Sequence, residues 1–160
     1  MRPFQIFAAM KPEQALQFFE RLGEHSPEML RQAADAASVA LKSRPSYVRK
    51  LAPEKRAATI RRALARVSSN LVAEELLAVY FLDCRKELLI EWLDAVGVEH
   101  EEGTLKQEAP EQPEDAKLRE SVDKFLAAED DSDRVLLLRA YAAQGAIEWP
   151  LLDELLEAQG

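Results

Sequence analysis

Three side chains carry most of what thiol or general-base chemistry would need here: Cys84, His25 and His100 are the only cysteine and histidines in the 160 residues. A thiol becomes a nucleophile when an adjacent base takes its proton and a third group orients that base. His25 lies in Gly23-Glu24-His25-Ser26, a turn between helical stretches, and His100 lies among Glu99, Glu101 and Glu102. These residues form a site only if distant segments converge. A lone cysteine at the end of an apolar helix is ordinarily a small packed side chain. The chain has no glycine-rich phosphate loop, no His/Cys metal spacing and no nucleophile elbow. Its carboxylates are many but scattered, so choosing an acid–base pair among them is arbitrary. Asp130-Asp131-Ser132-Asp133 has the look of a calcium loop, yet it lacks the central glycine and the bidentate closing glutamate. Helix N-capping explains it better. The expectation is a non-catalytic protein, with no catalytic, cofactor-binding or metal-binding residue.

Charge is distributed far more informatively. Residues 42–66 hold Lys42, Arg44, Arg49, Lys50, Lys55, Arg56, Arg61, Arg62 and Arg66 against one acid, Glu54, a local net charge of +8. Residues 1–41 contribute −1 and residues 67–160 contribute −15, which gives the chain its −8. On a helix over 53–66, Ala57, Ile60, Leu64 and Val67 form the apolar stripe. Lys55, Arg62 and Arg66 lie almost opposite it, flanked by Arg56 and Arg61. Three readings compete for this face. The plainest is a solvated surface that offsets the acidic half of the same molecule. The second is docking of an acidic protein partner. The third is phosphate contact with DNA or RNA. For that third reading, 45–51 and 53–66 imitate a helix-turn-helix with Tyr47 near the phosphates. The turn, however, lacks a glycine and the first helix is very short. Trp149, at the cap position before Pro150, is expected to lie partly exposed, where a tryptophan can anchor an interface. The candidate partner-binding face is therefore Lys55, Arg56, Arg62, Arg66 and Trp149.

The elements that must position these residues are helical. Hydrophobic residues make up 48% and charged residues 31%, too apolar for a disordered chain. Few glycines and abundant Ala, Leu, Glu and Arg favour helix over sheet. Proline at the first helical position and polar caps mark helices near 12–22, 27–42, 45–51, 53–66, 69–84, 86–96, 114–128, 131–144 and 149–159. The segment 98–113 has two prolines, five acids and little periodicity, and reads as a mobile acidic linker. Leu76-Leu77-Ala78-Val79-Tyr80 parallels Leu137-Leu138-Arg139-Ala140-Tyr141, and 87–97 parallels 150–160. That correspondence suggests that 53–97 and 114–160 are copies of one three-helix unit.

The resulting expectation is an all-α helical bundle of about nine helices in two lobes, with a duplicated three-helix unit. Residues 1–97 form an N-terminal lobe, 98–113 the linker, and 114–160 a C-terminal lobe. The function expected is a protein–protein interaction or adaptor module, with a nucleic-acid-binding regulator as the alternative. A single cysteine suits a reducing cytoplasm. The longest apolar run, Leu76 to Leu82, is far short of the roughly 20 residues a membrane span requires. A protein partner is expected, nucleic acid is disfavoured by the net charge, and no membrane or cofactor is called for.

Overall fold

The computed structural model describes residues 1–44 and 46–159. Among these the chain forms nine α-helices: α1 (Pro3–Ala9), α2 (Pro12–His25), α3 (Pro27–Ala40), α4 (Pro53–Leu64), α5 (Asn70–Val79), α6 (Lys86–Val96), α7 (Asp115–Ala127), α8 (Ser132–Ala142) and α9 (Pro150–Ala158). The protein is an all-α bundle with one small hairpin, β1 (His100–Glu101) and β2 (Thr104–Leu105). Five of the nine helices begin on a proline, as expected where a missing N–H costs nothing. The membership of the nine differs from expectation. The helix expected over 45–51 is a three-residue 3-10 turn, Val48–Lys50, and its expected start at Pro45 lies outside the described residues. In its place stands α1, which the sequence hid because its seven residues are too short for a visible period.

Contacts divide the chain into two compact units, one spanning Arg2–Cys84 and the other beginning at Arg85. This moves the boundary from the expected 98–113 segment back to the start of α6. In the first unit, α2 packs on α3 and α4, and α1 packs on α4 and α5. An aromatic cluster fills its core: Phe18 stacks on Tyr80 at 4.1 Å between ring centroids, with Phe7, Phe19 and Phe81 edge-on or stacked around them. In the second unit α6 packs on α7 and α8, while α9 covers α7 and α8. Trp92, Tyr141 and Trp149 form its centre, all at most 2% exposed.

The grouping does not follow the expected duplication. α6 belongs with α7–α9, which leaves α4 and α5 with α1–α3. Tyr80 stacks on Phe18 of α2, outside the supposed repeat, whereas Tyr141 meets Trp92 of α6 and Trp149. The two tyrosines thus occupy different environments. Their sequence likeness reflects the common pattern of amphipathic Leu/Ala/Glu helices, and Gly160, the counterpart of Gly97, lies outside the described residues.

The acidic segment is built into the second unit. His100 pairs with Leu105 and Glu101 with Thr104 across a two-residue turn, Glu102-Gly103, with φ of 50° and 90°. Two positive φ values in a two-residue loop are those of the turn that matches strand twist. The turn escaped notice because glutamate replaces the asparagine or aspartate usual at its first position. Farther on, Pro110 is buried and its carbonyl accepts from Trp149 Nε1 at 2.8 Å. Gln112 Oε1 accepts from the Leu151 amide at 3.0 Å, filling one of the orphan donors at the start of α9.

Candidate functional site

The basic segment folds as the connector from α3 to α4 and as α4 itself. α3 and α4 pack together, and the Val48–Lys50 turn lies against both. Two contacts set their register. Arg49 Nε meets Asp35 of α3 at 2.9 Å, and Arg66 Nη1 donates to the Ala40 carbonyl at the end of α3 at 2.7 Å. The connector therefore runs back along α3, and the C-terminal ends of α3 and α4 finish side by side.

The cations have divided roles. Arg66 is exposed but serves the end of α3, where the last carbonyls lack helical partners and the dipole is negative. Arg61 does the same for α1, with Nη1 3.3 Å from the Phe7 carbonyl and 3.5 Å from that of Ala8. Arg56 is half-buried, and its Nε is buried without a hydrogen-bond partner. Lys55 and Arg62 stand exposed two turns apart with Ala58 between them, and neither forms an ion pair among the described residues. Lys42, Arg44 and Lys50 are exposed in the connector, alongside Tyr47 at 54% exposure.

Trp149 is not part of this face. It is 1% exposed, packs edge-on to Tyr141 at 5.0 Å and holds Pro110 through its indole N–H. The expectation of an exposed ring failed because the 106–113 segment closes over it. The structure thus keeps Lys55 and Arg62 on one face of α4, turns Arg56 partly inward, leaves Arg66 beyond the end of the helix on extended backbone, and places Trp149 in the core of the other unit.

The helix-turn-helix analogy also fails, since a three-residue 3-10 turn cannot act as the first helix of such a pair. Cys84 is buried at the end of a single π-helical turn, Tyr80–Cys84, and His25 is exposed at the end of α2. His100 holds the hairpin: its Nδ1 accepts from the Gly103 amide at 3.0 Å and its Nε2 lies 2.7 Å from Asp94 Oδ1. An accepting Nδ1 places the proton of the neutral ring on Nε2, so the imidazole is committed to structure. Among the described residues no group of three or more His, Cys, Asp or Glu could hold a metal ion. Asp131 caps α8 by accepting from the Asp133 amide at 3.0 Å, as expected for this run of acids. Ser26 precedes α3 without capping it, and its hydroxyl instead donates to Asp83 Oδ2 at 3.4 Å.

Two arginines matter more than the sequence suggested. Arg85 bridges Asp131 Oδ2 at 2.9 Å, Asp133 Oδ2 at 2.7 Å and Glu87 Oε1 at 2.7 Å, tying the start of α6 to the first turn of α8. Burial opposes its charge, but the three carboxylates outweigh that and hold its pKa above the ordinary arginine value. Arg134 is 4% exposed, grips Glu91 through both terminal nitrogens, donates to the Phe125 carbonyl at 3.0 Å and lies over the Phe125 ring. Its position just before an unbroken run of Val135, Leu136, Leu137 and Leu138 was the only sequence signal that it would be buried.

No family model, curated protein or solved structure matches this chain. Among the described residues no helix is long and apolar enough to cross a membrane.

Proposed function

We propose that this protein is a non-catalytic helical interaction module whose α4 face receives an acidic protein partner. The observation that carries the reading is the pair Lys55 and Arg62, exposed on one helix face with no ion pair among the described residues. A rigid positive face of this kind accelerates encounter with a negative surface and selects against basic ones. The two units differ sharply: residues 2–84 carry 13 cations and 9 acids, and residues 85–160 carry 8 cations and 20 acids. Partner capture is thereby assigned to the first unit, and the cell compartment proposed is the cytoplasm.

A second reading, single-stranded nucleic acid, draws support from Tyr47, exposed among Arg44, Arg49 and Lys50. A base can stack on such a ring while the cations follow the phosphates. The two readings separate in one titration. Lys55→Glu with Arg62→Glu is expected to abolish binding of a labelled poly-glutamate peptide. A protein that binds a labelled oligonucleotide but no acidic peptide would instead support the second.

A further inference from the structure

Two contacts hold the His100 side chain, which is 13% exposed, and they make different demands on its ring. Nε2 lies 2.7 Å from Asp94 Oδ1, near the end of α6, and Nδ1 accepts from the Gly103 amide at 3.0 Å. An ionised carboxylate only accepts, so Asp94 requires a proton on Nε2. A backbone N–H only donates, so Gly103 requires a lone pair on Nδ1. The neutral ring meets both demands in one tautomer. The imidazolium carries a proton on each nitrogen and meets only the first. Its Nδ1–H then faces the N–H of Gly103, donor against donor. The Gly103 amide belongs to a turn under strain. Glu102 and Gly103 join β1 to β2 with φ of 50° and 90°, and left-handed backbone is costly for a glutamate. Besides the ladder pair Glu101–Thr104, the tip is tied down by the His100 bond and by Glu102, which meets Lys86 of α6 at 3.6 Å. That ion pair is exposed on both sides and holds weakly.

We propose that His100 is a proton-operated latch on the hairpin tip: the neutral ring holds the Gly103 amide, and protonation releases that amide while Nε2–H keeps the ring on Asp94. The contact that survives becomes charge-assisted, so the ring stays docked on α6 while the turn lets go. On α6 the charged groups are Asp94 and Lys86, with Glu87 and Glu91 engaged by Arg85 and Arg134. On the hairpin they are Glu99, Glu101 and Glu102, with Lys106 following β2. Of these, Asp94 contacts the ring. Release is confined to the tip. The next bond along the ladder, from the Lys106 amide to the Glu99 carbonyl at 3.2 Å, joins two backbone groups that do not titrate. Acidification thus converts Glu102-Gly103 from a fixed turn to a loose one, and frees the Glu102 carboxylate from its place beside Lys86.

The test is solvent-exchange NMR on the full chain, isotope-labelled, between about pH 8 and about pH 5, the range in which imidazoles change charge. At the upper end the ring nitrogen shifts are expected to place the proton on Nε2. On acidification the protection factor of the Gly103 amide, corrected for intrinsic exchange, is expected to fall roughly fivefold, the worth of one ordinary hydrogen bond. The fall should follow the His100 ring signals, and the Lys106 amide should keep its protection. His100→Asn puts a non-titrating acceptor close to the position of Nδ1, and the Gly103 amide should then be equally protected at both ends of the range. The wild-type comparison decides by itself if that variant misfolds. A proton on Nδ1 at about pH 8, or Gly103 protection that is constant while the ring titrates, overturns the latch. Equal loss at Lys106 overturns it too, since the whole hairpin then opens. So does a pH response that survives in His100→Asn, which would assign the effect to Asp94 or the hairpin glutamates.

Discussion

Tyr141 shows how a single buried group can work against its own fold. Its hydroxyl is buried with no hydrogen-bond partner, and burial holds the phenol's pKa above its ordinary value. Below about pH 10 the folded and unfolded chains both keep this proton. Above it the unfolded chain releases the proton while the folded chain retains it, so stability falls as pH rises toward the folded value. Tyr141→Phe is expected to be neutral or slightly stabilising near pH 7, because no bond is lost and one orphan disappears. The same variant should lose less stability between pH 9 and roughly pH 11 in urea titrations, since the phenol is gone. Arg134 behaves oppositely. Arg134→Leu leaves Glu91 and the Phe125 carbonyl without their donor and should cost about 2 kcal/mol in urea unfolding. That is less than for a fully buried pair, because Glu91 is 44% exposed. Removing Glu91 as well should restore part of the loss. Lys55 and Arg62 were legible as outward cations because a 3.6-residue period puts them opposite Ala57, Ile60 and Leu64. The period was carried too far: α4 ends at Leu64, so Val67, expected on the apolar stripe, is 61% exposed, and Arg66 has extended backbone. Trp149 was not, because local pattern does not say which distant backbone will accept an indole N–H.

At the scale of elements, many helix starts were readable from proline and the end of α6 from glycine, whereas α8 ends at Ala142, three residues before the expected stop at Gly145. Gly97 ends α6 at φ 72°, with the Gly97 and Val98 amides returning to the Asp94 and Leu93 carbonyls. A Cβ there would stand 3.0 Å from Lys117 Nζ, a flexible tip that can move, so the backbone conformation dominates the cost. Gly97→Ala should destabilise by roughly 1 kcal/mol, read as a lower melting temperature. In the 98–113 segment composition reports solvation, whereas the structure adds a hairpin and specific contacts from Pro110 and Gln112 to the start of α9. Trp149→Ala removes the hydrogen bond to Pro110 and leaves a large cavity, and should cost about 3–5 kcal/mol. Hydrogen exchange should then show 106–113 losing protection more than α7. Wild-type protection in this segment is the corresponding expectation, in place of the mobility that its acids and prolines suggested.

For the whole molecule, charge is the dominant variable. Residues 85–160 carry a net −12, and much of it lies on exposed helix faces where it repels itself. Raising sodium chloride from about 0.05 M to about 0.5 M shortens the screening length severalfold and should raise the melting temperature by a few degrees. A fall would mean that exposed pairs such as Glu120–Lys124 outweigh the repulsion. Helix content, the proline-marked starts, the cap at Asp131 and the basic face of α4 were all determined by the sequence alone. Each depends on spacing within a few residues of the chain, where geometry is fixed by the backbone. The tertiary structure alone decided that α6 joins α7–α9, that 98–113 holds a hairpin and contacts to Trp149 and Leu151, that Trp149 is buried, and that Arg61 and Arg66 close the ends of other helices. Those outcomes depend on which apolar faces meet and which orphan carbonyls fall within reach. Contacts between residues 26 to 54 positions apart leave no trace in local periodicity.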